Sequence, residues 1–328
     1  MTHDNDPKAP SRRQFLAAAG AAAAAGYALA THAQEGVPAV NEQSPAADAK
    51  PPRWYDISLA AWSLHRTIGE GEGRIPMLDL PRLAREEFGI EAVELVSTML
   101  ASREPAYIEQ FAANAARHNV KTLLIMVDGE GAIASPDAAE RADSVRRHKP
   151  WIDIAAGLGC HSIRLNWHGA GEDDAKDPVR CRELIDRSIA PFRELCDYGD
   201  GKNINVIIEN HGGPSSYPTA MVQLMVSVDH PRFGTLPDFG NFPADVDRYE
   251  ATDLLMNYAK AVSAKCIDFD DGSGLESTMD YPRLMSIVVD KHGYDGYVGI
   301  EYGGGRLSEF DGIHACRRLL DRLRGPRA

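Results

Sequence analysis

From Trp54 onward, short apolar runs rich in β-branched residues alternate with longer stretches of helical spacing, and this alternation restricts the fold more than any other feature of the chain. The expected strands are residues 57–62, 92–96, 122–127, 162–167, 205–210, 234–238, 261–267 and 296–301. Helical spacing fills residues 79–88, 104–118, 136–157, 178–198, 216–229, 247–258, 279–292 and 308–323. Pro81, Pro105, Pro136, Pro178, Pro218 and Pro282 fall near helix starts, where a missing N–H costs nothing. Ser135-Pro136 and Asp177-Pro178 read as cap-then-first-residue pairs. Eight strands alternating with eight helices are the content of a single (β/α)8 TIM barrel, expected over residues 54–325. A doubly wound open sheet would need a Gly-rich turn after its first strand, whereas Gly303-Gly304-Gly305 follows the last one.

The segment before the barrel has a different character. Ser11-Arg12-Arg13-Gln14-Phe15-Leu16 carries a twin arginine, and an Ala/Gly-rich run from Ala17 to Ala30 follows it. With small residues at Ala28, Ala30 and Ala33 for cleavage, residues 1–33 read as a twin-arginine export signal. The apolar run is shorter than the ~20 residues a membrane span needs. A periplasmic or secreted protein with no stable membrane anchor is therefore expected. Residues 34–53, rich in Pro, Ala and polar side chains, read as a disordered linker.

The formal net charge of -13 repels phosphate backbones and anionic lipid, so nucleic acid is not an expected partner. Whether identical chains associate is left open. The five cysteines are odd in number and irregular in spacing, which suits small core residues with one disulfide at most.

In a barrel of this kind, functional side chains gather at the C-terminal ends of the strands. The fifth strand closes with Ile207-Ile208-Glu209-Asn210-His211, the sixth with Leu236-Pro237-Asp238, and the eighth with Gly299-Ile300-Glu301. Any one such acid could be a solvated strand end or an ion-pair partner. Three among the last four strands suggest a divalent cation, because clustered carboxylates repel unless a cation neutralises them. On the fourth strand Arg164, Asn166 and His168 share parity and face the interior. Lys265, on the seventh, is costly to bury without a carboxylate or substrate oxygen beside it. His65 and Trp62, past the first strand, Trp167 on the fourth and Glu94 on the second are further candidates. The two tryptophans suit stacking on a sugar ring, and Glu94 suits a core ion pair.

The endings ENHGG (209–213), LPDFGNF (236–242) and IEYGG (300–304), in that order, resemble the xylose-isomerase-like barrel superfamily over nearly the whole stretch from Trp54 to Leu323. The resemblance implies one divalent metal ion (Mn, Mg, Zn or Co) held by Glu209, Asp238 and Glu301, with the two glutamates as the acid/base pair. The family's strand-seven His-x-Lys reads Ser263-Ala264-Lys265 here, and a serine hydroxyl replaces imidazole poorly as a ligand. Two substitutes are open: His211, sharing parity with Glu209, turns to the ion, or water fills the position in a weaker, more open site and His211 contacts substrate or braces the ligands without touching the ion. Lys265 is expected to be catalytic and substrate-binding, and His168, Asn166, His65 and Trp167 to bind substrate.

The function implied is a metal-dependent sugar isomerase or epimerase that abstracts a proton next to a carbonyl. A free sugar, keto-sugar or related polyol is the expected substrate, since export separates the protein from cytoplasmic sugar phosphates. Lyase, hydratase or dehydratase chemistry shares the same first step. A non-catalytic exported carbohydrate-binding barrel is the remaining alternative.

Overall fold

The computed structural model describes residues 54–325, so the expected export signal at 1–33 and linker at 34–53 lie outside the described residues. Eight parallel strands form: β1 Asp56–Ala60, β2 Ala92–Val96, β3 Lys121–Val127, β4 Ser162–Leu165, β5 Asn205–Glu209, β6 Phe233–Leu236, β7 Val262–Cys266 and β8 Tyr297–Tyr302. They pair in the order β6-β5-β4-β3-β2-β1-β8-β7. Between β6 and β7 the pairing is reduced to two isolated parallel bridges, Thr235 with Ala259 and Asp238 with Ser263. The second is made by Ser263 N donating to Pro237 O (2.9 Å) and Phe239 N donating to Ser263 O (3.2 Å). This is the single (β/α)8 barrel the alternation implies.

The helices are α1 Leu80–Arg82, α2 Pro105–Arg117, α3 Ala138–Gly157, α4 Glu172–Lys176, α5 Pro178–Asp200, α6 Pro218–Val228, α7 Arg248–Met256, α8 Tyr281–Met285 and α9 Glu309–Leu323. α1 and α8 run on into π-helical turns at Leu83–Glu87 and Ser286–Lys291. The helix-facing side of the strands is apolar, while Ser58, Glu94, Ser162 and Arg164 are buried on the alternate, inward side. Leu59, Val93, Ile163, Val206 and Ile208 are all fully buried.

Some local expectations are corrected. β1 stops at Ala60, where the chain turns into a 3-10 turn over Ala61–Leu64 that carries Trp62 sideways to the barrel mouth. α3 is capped by Asp137, whose side chain accepts from Ala139 N at 2.8 Å; the Ser135-Pro136 pair falls just before the cap. Asp177 does cap α5, accepting from Val179 N and Arg180 N at 2.9 Å each. The short α4 was not anticipated, because Glu172-Asp173-Asp174-Ala175-Lys176 has no apolar period to announce it.

All five cysteines are buried and free. Among the described residues no helix is long and apolar enough to cross a membrane.

Candidate active site

β5, the β6 end and β8 bring Glu209, Asp238 and Glu301 to one place, with ligand atoms within 4.8 Å of one another and all three residues buried. Three like charges at this separation inside protein are untenable without compensation. Burial, with Glu301 and Asp238 alongside, pushes the Glu209 carboxyl up to about 8 despite the neighbouring Arg164 guanidinium. Burial also raises Asp238, in spite of the Lys265 ammonium beside it.

Two internal cations answer the acids. From β4, Arg164 Nε lies 2.8 Å from Glu209 Oε2. The angle makes this a close ion pair without an aligned hydrogen bond, and both atoms have no hydrogen-bond partner. From β7, Lys265 Nζ lies 2.8 Å from Glu301 Oε1 and 3.7 Å from Asp238 Oδ2. Burial opposes the Lys265 charge, but Asp238, Glu301 and Glu209 outweigh it and raise its pKa. Ser263, two residues earlier on the same face, donates its hydroxyl to Asp238 Oδ2 (2.6 Å) and reaches Glu301 Oε2 (3.5 Å). Asp238 Oδ1 accepts from Gly240 N at 2.8 Å.

Two site residues were missed in the sequence. Asn241 donates from Nδ2 to Glu209 Oε1 (2.9 Å) and accepts from Lys265 Nζ at Oδ1 (2.7 Å), so one amide links carboxylate and ammonium. Its signal was its place inside the LPDFGNF ending. Asp128 accepts from Arg164 Nη1 and Asn166 Nδ2, both at 2.7 Å. It follows the apolar run of β3, the same pattern that singled out the other three acids.

The remaining candidates separate by position. A small cavity of ≈ 90 Å³, open to solvent, lies over the cluster, with Trp62, Val96 and Met126 as its apolar wall and Asp128, Arg164, His211 and Glu301 as its polar side. His211 lines this cavity, exposed, and is not among the described residues whose ligand atoms converge with the three carboxylates. Burial by its surroundings, Arg164 and Lys265 hold its pKa below the usual value. His168 is exposed, and burial by its neighbours likewise lowers its pKa, with Asp128 opposing the shift. Asn166 is buried in the Arg164–Asp128 network and serves it directly. His65 stacks on Trp62 at 4.8 Å and 14°, and its Nδ1 lies 3.4 Å from Glu309 Oε1. It thus supports the wall from behind.

Trp167 is a correction. It is 1% exposed and donates from Nε1 to Ser188 Oγ on α5 at 2.9 Å. Strand parity sends it outward because Asn166 points inward, so it packs the barrel wall and does not reach the cavity. Glu94 is the second correction. In place of an ion pair it accepts from Ser58 Oγ at 2.6 Å, leaving Oε2 without a partner. Burial pushes it up to about 7, with Ser58 opposing and Glu301 reinforcing the shift. Gly299 makes room for it, since a Cβ there would stand 2.4 Å from Glu94 Oε1.

Comparison with known proteins agrees with the barrel fold. A family model described as "Xylose isomerase-like TIM barrel" matches residues 82–324. Among solved structures, a xylose isomerase-like TIM barrel protein from Mycobacterium smegmatis in complex with magnesium superposes with a TM-score of 0.61 at 18% identity, covering 82% of this chain and 96% of that one. The probable 3-DHS dehydratase AsbF from Bacillus anthracis gives 0.61 at 18% identity, covering 81% and 98%. D-allulose 3-epimerase from Methylomonas sp. in complex with D-allulose gives 0.63 at 12% identity, covering 83% and 98%. At these identities the likeness establishes the fold alone. No curated protein matches the sequence.

Proposed function

The chain belongs to the xylose isomerase-like TIM barrel family, and from that membership we propose that it is a divalent-metal-dependent enzyme of the sugar isomerase and epimerase type. The observation that carries the reading is the convergence of Glu209, Asp238 and Glu301 beneath a cavity walled by Trp62.

The residues fit a metal ion. Three carboxylates offer hard oxygen donors, and Glu209 Oε2 is buried with no hydrogen-bond partner. Glu209, Asp238 and Glu301 would hold the ion. When bound, it would polarise a carbonyl and the adjacent hydroxyl and so acidify the C–H between them.

The chain's own groups then have separable tasks. Glu301, which lines the cavity, takes the proton from that C–H onto a carboxylate oxygen. Glu209, held by Arg164 and Asn241 on the other side of the cluster, carries the second proton. Returning a proton to the opposite face of the same carbon gives epimerisation, and to the neighbouring carbon isomerisation. Loss of a β-oxygen leaving group in place of reprotonation gives a dehydratase or lyase. Asn241 keeps the Glu209 carboxylate oriented, Lys265 stands beside Glu301 to meet a substrate oxygen, and Trp62 offers a flat apolar surface to a sugar ring.

The substrate is an uncharged free sugar, keto-sugar or polyol. Arg164 is engaged by Asp128 and Glu209, and Lys265, even when released from Glu301, stands among three carboxylates that repel a phosphate. The twin-arginine segment gives such a substrate a periplasmic or secreted setting, again as a proposal. The test is deuterium exchange from D2O into neutral ketohexoses with Mn2+ present. Exchange by wild type, abolished in Glu301→Gln and Glu209→Gln, supports the reading. Binding of ketose without exchange points to the carbohydrate-binding alternative.

A further inference from the structure

The carboxylate cluster already holds a cation of its own. Lys265 Nζ sits 2.8 Å from Glu301 Oε1 and 3.7 Å from Asp238 Oδ2, and donates to Asn241 Oδ1 at 2.7 Å. The same two carboxylates, with Glu209, form the group in which a divalent ion would be held. Ammonium and metal therefore draw on the same oxygens. Placing both there at once would set two positive centres side by side in a buried site, where their repulsion is poorly screened.

The lysine is built into this position. Its stem runs across Gly240, where a Cβ would approach Lys265 Cγ and Cδ to 2.8 Å, so the missing side chain is what admits the stem. Asn241 fixes the ammonium from one side while donating to Glu209 from the other. Ser263 adds a hydrogen bond to Asp238 at 2.6 Å but supplies only a weakly ligating hydroxyl. A metal thus lacks the help of a strong nitrogen donor from β7 in its contest with the ammonium.

We propose that Lys265 is the resident counter-cation of the Glu209–Asp238–Glu301 cluster, and that a divalent metal binds by displacing its ammonium from Glu301. This rests on the metal-dependent reading above and deepens it. The metal-free barrel then stays folded with its acids neutralised from within. Metal affinity is set by a competition, and the displaced ammonium remains beside the cavity as a positive group for a substrate oxygen.

The experiment is calorimetric Mn2+ affinity, together with thermal midpoints with and without Mn2+, for wild type, Lys265→Met and Gly240→Ala. Lys265→Met is expected to bind Mn2+ roughly tenfold or more tightly than wild type, because the competing charge is gone. Its metal-free form should melt below wild type, and Mn2+ should remove the deficit. Gly240→Ala keeps the charge but crowds the stem, and should shift affinity in the same direction by a smaller factor. Equal or weaker Mn2+ binding by Lys265→Met overturns the proposal while leaving the metal reading intact. If Lys265→Met does not fold, Gly240→Ala decides: tighter binding supports, unchanged or weaker binding overturns. Absence of Mn2+ binding in wild type and every folded variant overturns the metal reading and this proposal together.

Discussion

The Ser263 hydroxyl donates to Asp238 Oδ2 over 2.6 Å, across the bridge that joins β7 to β6. The serine therefore acts as a hydrogen-bond donor to an acid of the site, at the strand position where the family resemblance leads one to expect a histidine ligand. Ser263→Ala should keep one metal ion per chain with affinity changed by no more than about a hundredfold, the worth of one hydrogen bond to a charged acceptor. Titration with Mn2+ checks this. Loss of the ion altogether would make the hydroxyl itself a ligand.

Asn241 couples the fates of Glu209 and Lys265 through one amide. Asn241→Ala should lower turnover by one to two orders of magnitude, roughly the effect of loosening an acid/base group by about an ångström. KM should change little, since the amide is not among the cavity-lining residues. A rise in KM with turnover intact would instead place Asn241 against substrate.

Trp62 and Trp167 should behave in opposite ways. Trp62, 40% exposed on the cavity wall, should raise KM for a ketose when replaced by Ala, with the melting temperature little changed. Trp167→Ala removes a fully buried side chain and its bond to Ser188, and should cost about 3–5 kcal/mol of stability. Denaturant melts and steady-state kinetics on the two variants distinguish these roles, and exchanged phenotypes would contradict the assignment.

Glu94 gives stability a pH dependence. Burial pushes its carboxyl from the ordinary 4.5 up to about 7, so between those values the folded chain holds a proton that the unfolded chain releases. The folded state binds the extra proton, and this group's contribution to stability therefore falls as pH rises through that window and levels off above it. Glu94→Gln, which can still accept from Ser58, should melt higher than wild type at pH 8 in EDTA, by at most about 3 kcal/mol. At pH 4 the difference should vanish. An equal gain at both pH values would mean that Glu94 is not protonated in the fold.

The sequence made the barrel legible because eight apolar runs and the helical spacing between them are dictated by burial, which leaves a periodic trace. The converging acids were legible because three of the last four strands end in a carboxylate, and clustered carboxylates repel unless a cation neutralises them. Asp128 carried the same signature and was missed only because β3 lay outside the late-strand pattern. Trp167 was misread although alternation alone turns it outward once Asn166 faces in. Asn241 left a weaker trace, since its role depends on a loop folding back over Lys265 that no periodicity describes. The same holds for Trp62, brought to the mouth by the early end of β1.

The central claim is that Glu209, Asp238 and Glu301 form a metal site that does chemistry. Its most direct test is the metal content of the purified folded protein after incubation with Mn2+, wild type beside Glu301→Gln. The account predicts about one divalent ion per chain in wild type, reduced sharply in the variant without loss of fold. A wild type that takes up no divalent ion, or a Glu301→Gln chain that binds as much as wild type, would contradict it.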